Sequence, residues 1–346
     1  MKIAILADTH WGVRNDLNSF LDASKRFLDD IFFPYLDQNN INTIIHLGDL
    51  VDRRKFININ TATRLRQDFL IPISKRKIDF HMIAGNHDTY FKDTNEVNSL
   101  DMLLYLSPLT KVYTKATEVS FDGTKILFVP WICDDNSKQT FKKIKNTDAK
   151  ICFGHLELSG FQMYRGSMLS HGDDPINFSK FDMVCSGHYH HRSSSGNIHY
   201  LGNHIEFTWS DYDDPKGFHI FDTETNELAF IENPETIFKK IWYDDSNGKM
   251  PDIPNVTNKI VKIIVSNKNN HYMFDQYIEA IEKQNPIEFQ IVEDSLNFIS
   301  EEQSIVDEAE SITDIFKKYI GYVGYEKKEK LEEVVINLYH EALSIE

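Results

Sequence analysis

Short apolar runs that end in polar, glycine-containing turns recur through the first two-thirds of the chain. Their lengths are those of buried strands, and each ends where a functional loop would begin. Between the first three runs lie two stretches with apolar residues at helical spacing, residues 17–36 and 61–77. This alternation predicts an α/β sheet with crossover helices. The apolar runs are residues 2–7, 43–47, 80–84, 125–132, 150–153 and 182–185.

The later part of this region changes character. Residues 121–124 (Phe-Asp-Gly-Thr) are typical of a tight hairpin turn, and residues 217–222 with 227–232 predict a second hairpin. A mixed sheet, or two packed sheets flanked by helices, fits this pattern best.

Past about Pro234 the pattern restarts. Residues 259–265 and 287–292 alternate like strands and flank a helical pattern over residues 271–283. Two further helical patterns follow, at residues 305–319 and 327–343. We therefore expect a main domain at residues 1–233, a small α+β unit at 234–298 and a C-terminal helical pair at 299–346.

Composition and charge limit the compartment in which the protein is expected to act, but they do not exclude nucleic acid as its partner. The 346 residues carry a net charge of −16, but most of this acidity lies beyond residue 230, so a DNA substrate stays open. No stretch is long enough to span a membrane. The apolar N-terminus ends at Asp8, too soon for a signal peptide. Three distant cysteines without a Cys-x-x-Cys pair indicate a reducing, cytoplasmic setting.

Five polar blocks stand at or just after predicted strand ends, where α/β sheets place their ligand groups. Glycines within the blocks allow tight turns, so the backbone would not shield a bound ion. The blocks are Asp8-Thr9-His10; Gly48-Asp49-Leu50-Val51-Asp52-Arg53; Gly85-Asn86-His87-Asp88; Gly154-His155; and Gly187-His188-Tyr189-His190.

The donor types in these blocks indicate a metal centre. Imidazole nitrogen, carboxylate oxygen and one amide oxygen suit manganese, iron, zinc or cobalt, whereas calcium prefers oxygen alone. One central carboxylate can bridge two cations, which together would polarise a phosphate and activate a water. Any single block arises by chance in many chains, but five in this order do not. The blocks therefore predict a two-metal phosphoesterase.

The ordered blocks resemble those of the calcineurin-like metallophosphoesterases, whose fold is a four-layer double β-sandwich flanked by helices. The resemblance covers roughly residues 1–230 and implies two sets of metal ligands that share Asp49. The first set would also contain Asp8, His10 and His190. The second would also contain Asn86, His155 and His188. It further implies that His87, a non-ligand histidine, protonates the leaving group or stabilises the pentacoordinate phosphate.

Within this superfamily the chain looks most like the SbcD-type nucleases of double-strand-break repair, and closer still to the recombination endonuclease subunits of large tailed phages. The resemblance implies an exo- and endonuclease that processes DNA ends with two divalent metal ions, Mn²⁺ above all. It implies a homodimer that works with an SbcC-type ABC ATPase bearing a long coiled coil. A phage-encoded protein would act in the host cytoplasm. The motifs are Asp8-Thr9-His10-Trp11-Gly12, Gly154-His155-Leu156-Glu157-Leu158-Ser159-Gly160, Tyr164-Arg165-Gly166, Ser170-His171-Gly172 and Asp213-Asp214-Pro215-Lys216-Gly217-Phe218.

The same resemblance gives the two C-terminal parts their expected roles. Residues 234–298 would cap the nuclease domain and contact DNA, and residues 299–346 would clamp the coiled-coil root of the ATPase. Two departures stand out. Asp52 lies where some relatives carry a second histidine, and Asn203-His204 lies where relatives often place small residues and proline.

The densest basic cluster lies close in sequence to Asp49. It could contact the DNA backbone, or it could be a solvated helix face. Arg53 is favoured as a contact because it adjoins a metal block. The arginines of this cluster are Arg53, Arg54, Arg64 and Arg66.

Two other functions stay open. The block from Gly48 to Arg53 also resembles protein phosphatases, so a protein phosphatase or a small-molecule phosphodiesterase is the first alternative. Against it, protein phosphatases usually carry glutamate where Asp88 stands, and they lack the capping unit and helical tail. The second alternative is a non-catalytic scaffold, which conflicts with the intact ligand set and His87.

Overall fold

The computed structural model describes residues 1–104, 109–164, 167–168 and 171–293, together with residues 330, 331 and 335. The chain divides into two compact units, Met1–Glu293 and Asp294–Glu346. In the second unit Lys330, Leu331 and Val335 are helical. The remainder of the helices predicted at 305–319 and 327–343 lies outside the described residues.

The first sheet is built around the N-terminal strand. The strands β1 (Lys2–Leu6), β2 (Thr43–His46), β3 (Asp79–Ile83) and β4 (Thr110–Tyr113) run parallel to one another. An antiparallel hairpin extends the sheet beyond β1; its strands are β13 (Gly217–Asp222) and β14 (Glu227–Glu232). The first three predicted strands and the second predicted hairpin are therefore confirmed, and they share one sheet.

The second sheet also has six strands, and its centre is parallel. Its edges are antiparallel, so the predicted turn at residues 121–124 does join a hairpin, formed by Thr117–Phe121 and Thr124–Val129. In spatial order the strands are β11 (Ser193–Ser195), β12 (Ile198–Tyr200), β10 (Met183–Gly187), β7 (Ile151–His155), β6 (Thr124–Val129) and β5 (Thr117–Phe121).

The two sheets pack face to face because side chains alternate along each strand. Ile3 and Ile5 of β1 share one core with Phe128 and Phe153 of the second sheet. Leu6, on the opposite face of β1, lies in a separate core beneath the helices. The predicted four-layer double sandwich is confirmed in the described part of the chain.

Helices cover the outer face of each sheet. Ser137–Asn146 (α7) and the 3-10 turn Pro175–Phe178 lie on the second sheet, where Ile144 and Phe178 join its outer core. The short strands β8 (Gln162–Tyr164) and β9 (Ser167–Met168) form a small hairpin after β7. The helices on the first sheet are α1 (Val13–Asp16), α2 (Asn18–Arg26), α3 (Phe33–Asn39), α4 (Ile59–Arg64), α5 (Ile71–Lys75) and α6 (Leu100–Leu103).

Both long helices predicted from the sequence contain a wider, π-helical segment. Phe27–Phe32 joins α2 to α3, and Leu65–Leu70 joins α4 to α5. Pro34 or Pro72 stands at the start of the helix that follows. Because proline lacks an N–H and its ring crowds the carbonyl four residues earlier, we attribute the local widening to these prolines.

A small three-stranded parallel sheet follows the sandwich. It consists of β15 (Phe238–Asp244), β16 (Ile260–Asn267) and β17 (Glu288–Glu293), with α8 (His271–Glu282) connecting the last two. The predicted strand–helix–strand unit is confirmed, whereas β15 was not predicted. Ile263, Tyr277 and neighbouring side chains form a core of their own. The domain boundaries near residues 233 and 298 stay predictions.

Two further expectations concern the setting of the chain. Among the described residues, none forms a helix with the length and apolarity that crossing a bilayer requires. Cys133, Cys152 and Cys185 are buried free thiols.

Candidate metal centre

Five loops meet where the two sheets place the carboxyl ends of their parallel strands. In the first sheet these loops follow β1, β2 and β3, and in the second they follow β7 and β10. The two edges touch, since His155 at the end of β7 contacts Leu47 beyond the end of β2. The loops bring together all seven predicted ligands: Asp8, His10, Asp49, Asn86, His155, His188 and His190.

Asp8, His10 and His190 form the first donor group. One donor atom of each lies within 4.8 Å of the other two. The Nε2 atoms of His10 and His190 are 3.1 Å apart. Asp8 is fully buried, and its carboxylate accepts the backbone N–H of His188 at 2.9 Å. Two imidazole nitrogens and a carboxylate this close together can bind the same cation.

Asn86, His155 and His188 form the second donor group. The Nδ1–H of His155 donates to the Leu47 carbonyl at 2.8 Å, which leaves a lone pair on Nε2. That nitrogen lies 2.8 Å from Asn86 Oδ1, and His188 Nδ1 lies 2.9 Å from the same oxygen. Acceptor atoms therefore converge on one point, as the ligands of a common ion do.

Asp49 lies between the two groups. Its Oδ2 is 3.6 Å from Nε2 of His10 in the first group and 3.4 Å from Nε2 of His155 in the second. Its Oδ1 accepts the backbone N–H of His87 at 2.7 Å, which fixes the rotation of the carboxylate. This is the placement that a bridging carboxylate needs.

Four of these residues have a backbone conformation that only glycine adopts freely. The φ angles are 50° at Asp8, 40° at His10, 55° at Asp49 and 90° at His188. Each such residue costs about 1–3 kcal/mol of strain, and such strain collects at functional sites. The surrounding sheets hold these turns in place.

Glycines let the loops approach the donor atoms. A Cβ added at Gly85 would lie 2.2 Å from Asp49 Oδ1, and one at Gly48 would lie 2.3 Å from Nδ1 of His155. Neither distance is compatible with a side chain. The glycines of the sequence blocks therefore keep the space around the donors open.

Asp88 holds the central loop, and the sequence alone did not assign it this role. Its fully buried carboxylate accepts backbone N–H groups from Asp49 at 2.8 Å, Gly85 at 2.9 Å and Leu50 at 2.9 Å. These contacts join the loops after β2 and β3. The signal in the sequence was that Asp88 ends a metal block without being needed as a ligand, since a buried carboxylate must accept several hydrogen bonds.

The charges of the pocket fit divalent cations. Burial raises the pKa of Asp8 to about 8, because an isolated carboxylate charge is unfavourable there. Although burial opposes it, the charge of Asp49 raises the pKa of His155 to about 9. A bound cation would supply the positive charge that these donors otherwise take from protons.

His87 lies beside the donor groups without being part of either. Its ring meets the His10 ring edge to face at 4.8 Å between centroids. Its Nδ1–H donates to the Asp52 carbonyl, so Nε2 stays free, and the side chain is half-buried. The Asp52 carboxylate lies 3.4 Å from Nδ1 of His10. Asp52 therefore contacts both histidines, through its backbone and its side chain respectively.

The four arginines near Asp49 differ in how they are held. Arg53 donates to Asp16 and Asn15 and lies over the Phe56 ring. Arg64 pairs with Asp22 and Asp68. In contrast, Nη1 of Arg54 is buried without a hydrogen-bond partner, and Arg66 is exposed.

Several residues near the blocks pack against neighbouring side chains and belong to neither donor group. Trp11 stacks on Phe69, and Tyr189 packs on Tyr200; both side chains are buried. His191 pairs with Asp214 and joins neither donor group. His204, one of the two departures, is buried against Phe27.

Comparison with known proteins identifies the family. The sequence profile described as Calcineurin-like phosphoesterase matches residues 1–192. The chain is 34% identical over 328 residues to Exonuclease subunit 1 of Enterobacteria phage T4, a match that covers 93% of both chains.

Two bacterial relatives are more distant. The chain is 25% identical over 300 residues to the SbcD component of the nuclease SbcCD of Staphylococcus epidermidis, covering 79% of this chain and 78% of that one. It is 24% identical over 261 residues to the same component in Staphylococcus saprophyticus, covering 66% of this chain and 67% of that one.

We predict that metal binding releases protons. With the pKa of Asp8 raised to about 8 and that of His155 to about 9, both groups hold a proton at pH 7 without a cation. Ligands must be deprotonated, so titration with MnCl₂ at pH 7 should release at least about one proton per chain. Affinity should rise with pH and level off above about 9. The measurement is calorimetry in buffers of different ionisation enthalpy; affinity independent of pH between 6 and 9 would contradict the prediction.

Proposed function

The chain belongs to the calcineurin-like phosphoesterase family, and we propose that it is the DNA nuclease subunit of an SbcCD-like complex that processes DNA ends. It hydrolyses phosphodiester bonds with two divalent metal ions. The observation that carries the proposal is the pair of donor groups around Asp49. Its support from relatives is 34% identity, over 93% of the chain, to a protein named as an exonuclease subunit.

The two donor groups divide the ligands between two ions. Asp8, His10 and His190 would hold the first ion, Asn86, His155 and His188 would hold the second, and Asp49 would belong to both sets. When bound, such a pair polarises the phosphate and lowers the pKa of an attacking water. We propose Mn²⁺ as the physiological ion, since mixed nitrogen and oxygen donors without thiolate suit it.

His87 is the proposed general acid. Because its Nδ1–H is committed to the Asp52 carbonyl, Nε2 is the atom that can carry a proton to the leaving oxygen. The side chain is half-buried, so a substrate can reach it. The Asp52 carboxylate lies 3.4 Å from Nδ1 of His10, at the position where some relatives carry a second histidine.

We propose that part of the arginine cluster binds the DNA backbone. Arg53 and Arg64 form ion pairs with acidic neighbours, so we assign them a structural role rather than a DNA contact. Arg54 has a buried nitrogen without a partner. Burial lowers the pKa of Arg54, since its charge is poorly compensated there, although the charge of Asp49 opposes this shift. Arg54, and Arg66 close to it in sequence, are therefore the candidates for phosphate contacts.

The remaining proposals concern the partners of the protein, its metal and its compartment. We propose that the protein works with an SbcC-type coiled-coil ATPase, as the names of the bacterial relatives imply for those proteins. A homodimer, manganese dependence and a cytoplasmic setting complete the proposal.

Cleavage of DNA and loss of cleavage without His87 test this function together. Purified protein with MnCl₂ should cut linear duplex DNA and leave a phosphopeptide intact. His87→Ala should keep two manganese ions per chain but cleave at least about 100-fold more slowly, because general acid catalysis contributes that much. The measurements are metal analysis and single-turnover cleavage.

The control is His199→Ala on β12, a half-buried histidine that bonds to Ser194 and belongs to neither donor group. It should cleave like the wild type. Phosphopeptide turnover without DNA cleavage would favour a phosphatase, and wild-type rates for His87→Ala would remove its proposed role.

A second prediction separates the two kinds of arginine. Arg54→Gln should raise KM for duplex DNA about tenfold and lower the salt slope of binding by about one unit, as for the loss of one phosphate contact. The matched variant Arg64→Gln should lower thermal stability and leave KM unchanged, since Arg64 is held by Asp22 and Asp68. Binding isotherms between about 50 and 200 mM salt give the slopes; equal effects of the two substitutions would count against the assignment.

A third prediction concerns the ATPase. Deletion of residues 305–346 should abolish co-purification with the SbcC-type partner while both metal ions remain bound. The metal ligands all lie before residue 191, so metal content is the internal control. Co-purification of the truncated chain with the ATPase would rule out the proposed clamp.

A further inference from the structure

One buried lysine lies behind the first donor group. Lys216 is 4% exposed, and three oxygen atoms lie within 2.9 Å of its ammonium. They are the backbone carbonyl of His190 at 2.9 Å, Asp214 Oδ2 at 2.8 Å and Asp211 Oδ1 at 2.7 Å. The ammonium donates hydrogen bonds to the first two of these atoms and forms an ion pair with Asp211, so one of its donors holds the backbone of a proposed metal ligand.

Stability alone is a weak explanation for this arrangement. Removing a lysine and two carboxylates from water is costly, and buried ion pairs can often be replaced by apolar side chains without loss of stability. What an apolar side chain could not supply is a fixed N–H donor at the His190 carbonyl. A Cβ at Gly202 would lie 2.9 Å from that same oxygen, so the backbone of Gly202 also packs closely against the His190 carbonyl.

The two aspartates hold the neighbours of His190 as well. Asp211 accepts the backbone N–H of Phe207, whose ring meets the rings of His10 and His190 edge to face at 5.7 and 5.5 Å. Asp214 bonds to Nδ1 of His191 at 3.0 Å. The cluster thus contacts the backbone of His190, the residue after it and the aromatic ring beneath it.

We propose that Lys216 is a positioning residue for the first metal position. By holding the His190 carbonyl, it directs His190 Nε2 toward His10 and Asp8, so that the three donors bind one ion. The inference rests on the proposed two-metal function. It gives a physical role to the Asp213-Asp214-Pro215-Lys216 motif, which lies outside the five metal blocks.

The test measures manganese binding as well as cleavage. Lys216→Met should weaken binding of the first ion about 10–100-fold, the range typical of lost support for a ligand, and leave the second site filled. With two equivalents of MnCl₂, electron paramagnetic resonance of the wild type should show an exchange-coupled manganese pair. The variant should instead show isolated manganese together with free aqueous ion.

A second variant guards against misfolding, because Lys216→Met alone leaves two buried carboxylates uncompensated. The triple variant Lys216→Met/Asp211→Asn/Asp214→Asn removes all three charges but restores no donor to the His190 carbonyl. It should fold and still lose the coupled signal. A purely structural role predicts the opposite: a lower melting temperature for the single variant, recovery in the triple variant, and a coupled pair in both.

Lys262→Met is the matched control, since Lys262 is 8% exposed and lies over the Trp209 ring without contacting a ligand. It should keep both ions. Coupled manganese in the triple variant would overturn the role of Lys216. A wild-type chain that binds fewer than two ions would instead overturn the proposed function, so the two failures are distinguishable.

Discussion

The structure depends on a buried pocket in which several hydrogen-bond acceptor atoms surround Asp49. Without cations, the pocket holds too few protons for every acceptor to be paired. Nitrogen and oxygen atoms of His10, His155, Asn86 and Asp49 face one another at roughly hydrogen-bonding distance. In the absence of cations, the pKa of Asp8 has to rise and that of His155 with it. Two divalent ions relieve this unfavourable arrangement, which is why we regard metal binding as part of the folded state of these loops.

The rest of the fold serves to hold that arrangement. Left-handed backbone at Asp8, His10, Asp49 and His188 would relax in an isolated peptide. Two features prevent this: the sandwich core packs the strands that precede each loop, and Asp88 ties the loops after β2 and β3 to each other. The large apolar core offsets the cost of this strain and desolvation, and the loops that it supports enclose the two donor groups around Asp49.

Local features of the sequence were sufficient for much of this account. Short apolar runs such as residues 2–7 and helical spacing in residues 17–36 predicted the layers, and glycine-flanked donors at strand ends predicted all seven residues that converge. These signals are local, so they can be read from neighbouring positions.

The π-helical segments were missed because they arise from Pro34 and Pro72 within otherwise regular helical patterns. Strand β15 was missed because its lysines and aspartate mask the alternation. Spacing along the sequence does not encode contacts between distant residues. It therefore could not predict the hydrogen bonds of Asp88 and Lys216, or the different surroundings of Arg53 and Arg54.

The central claim is that Asp49 bridges two cations held by residues from both sheets. Crystals grown with MnCl₂ and measured at the manganese absorption edge would test it directly. The account predicts two anomalous peaks per chain, roughly 3.5–4 Å apart, with a carboxylate oxygen of Asp49 between them. A single peak, or peaks away from His10, Asn86, His155 and His190, would contradict it.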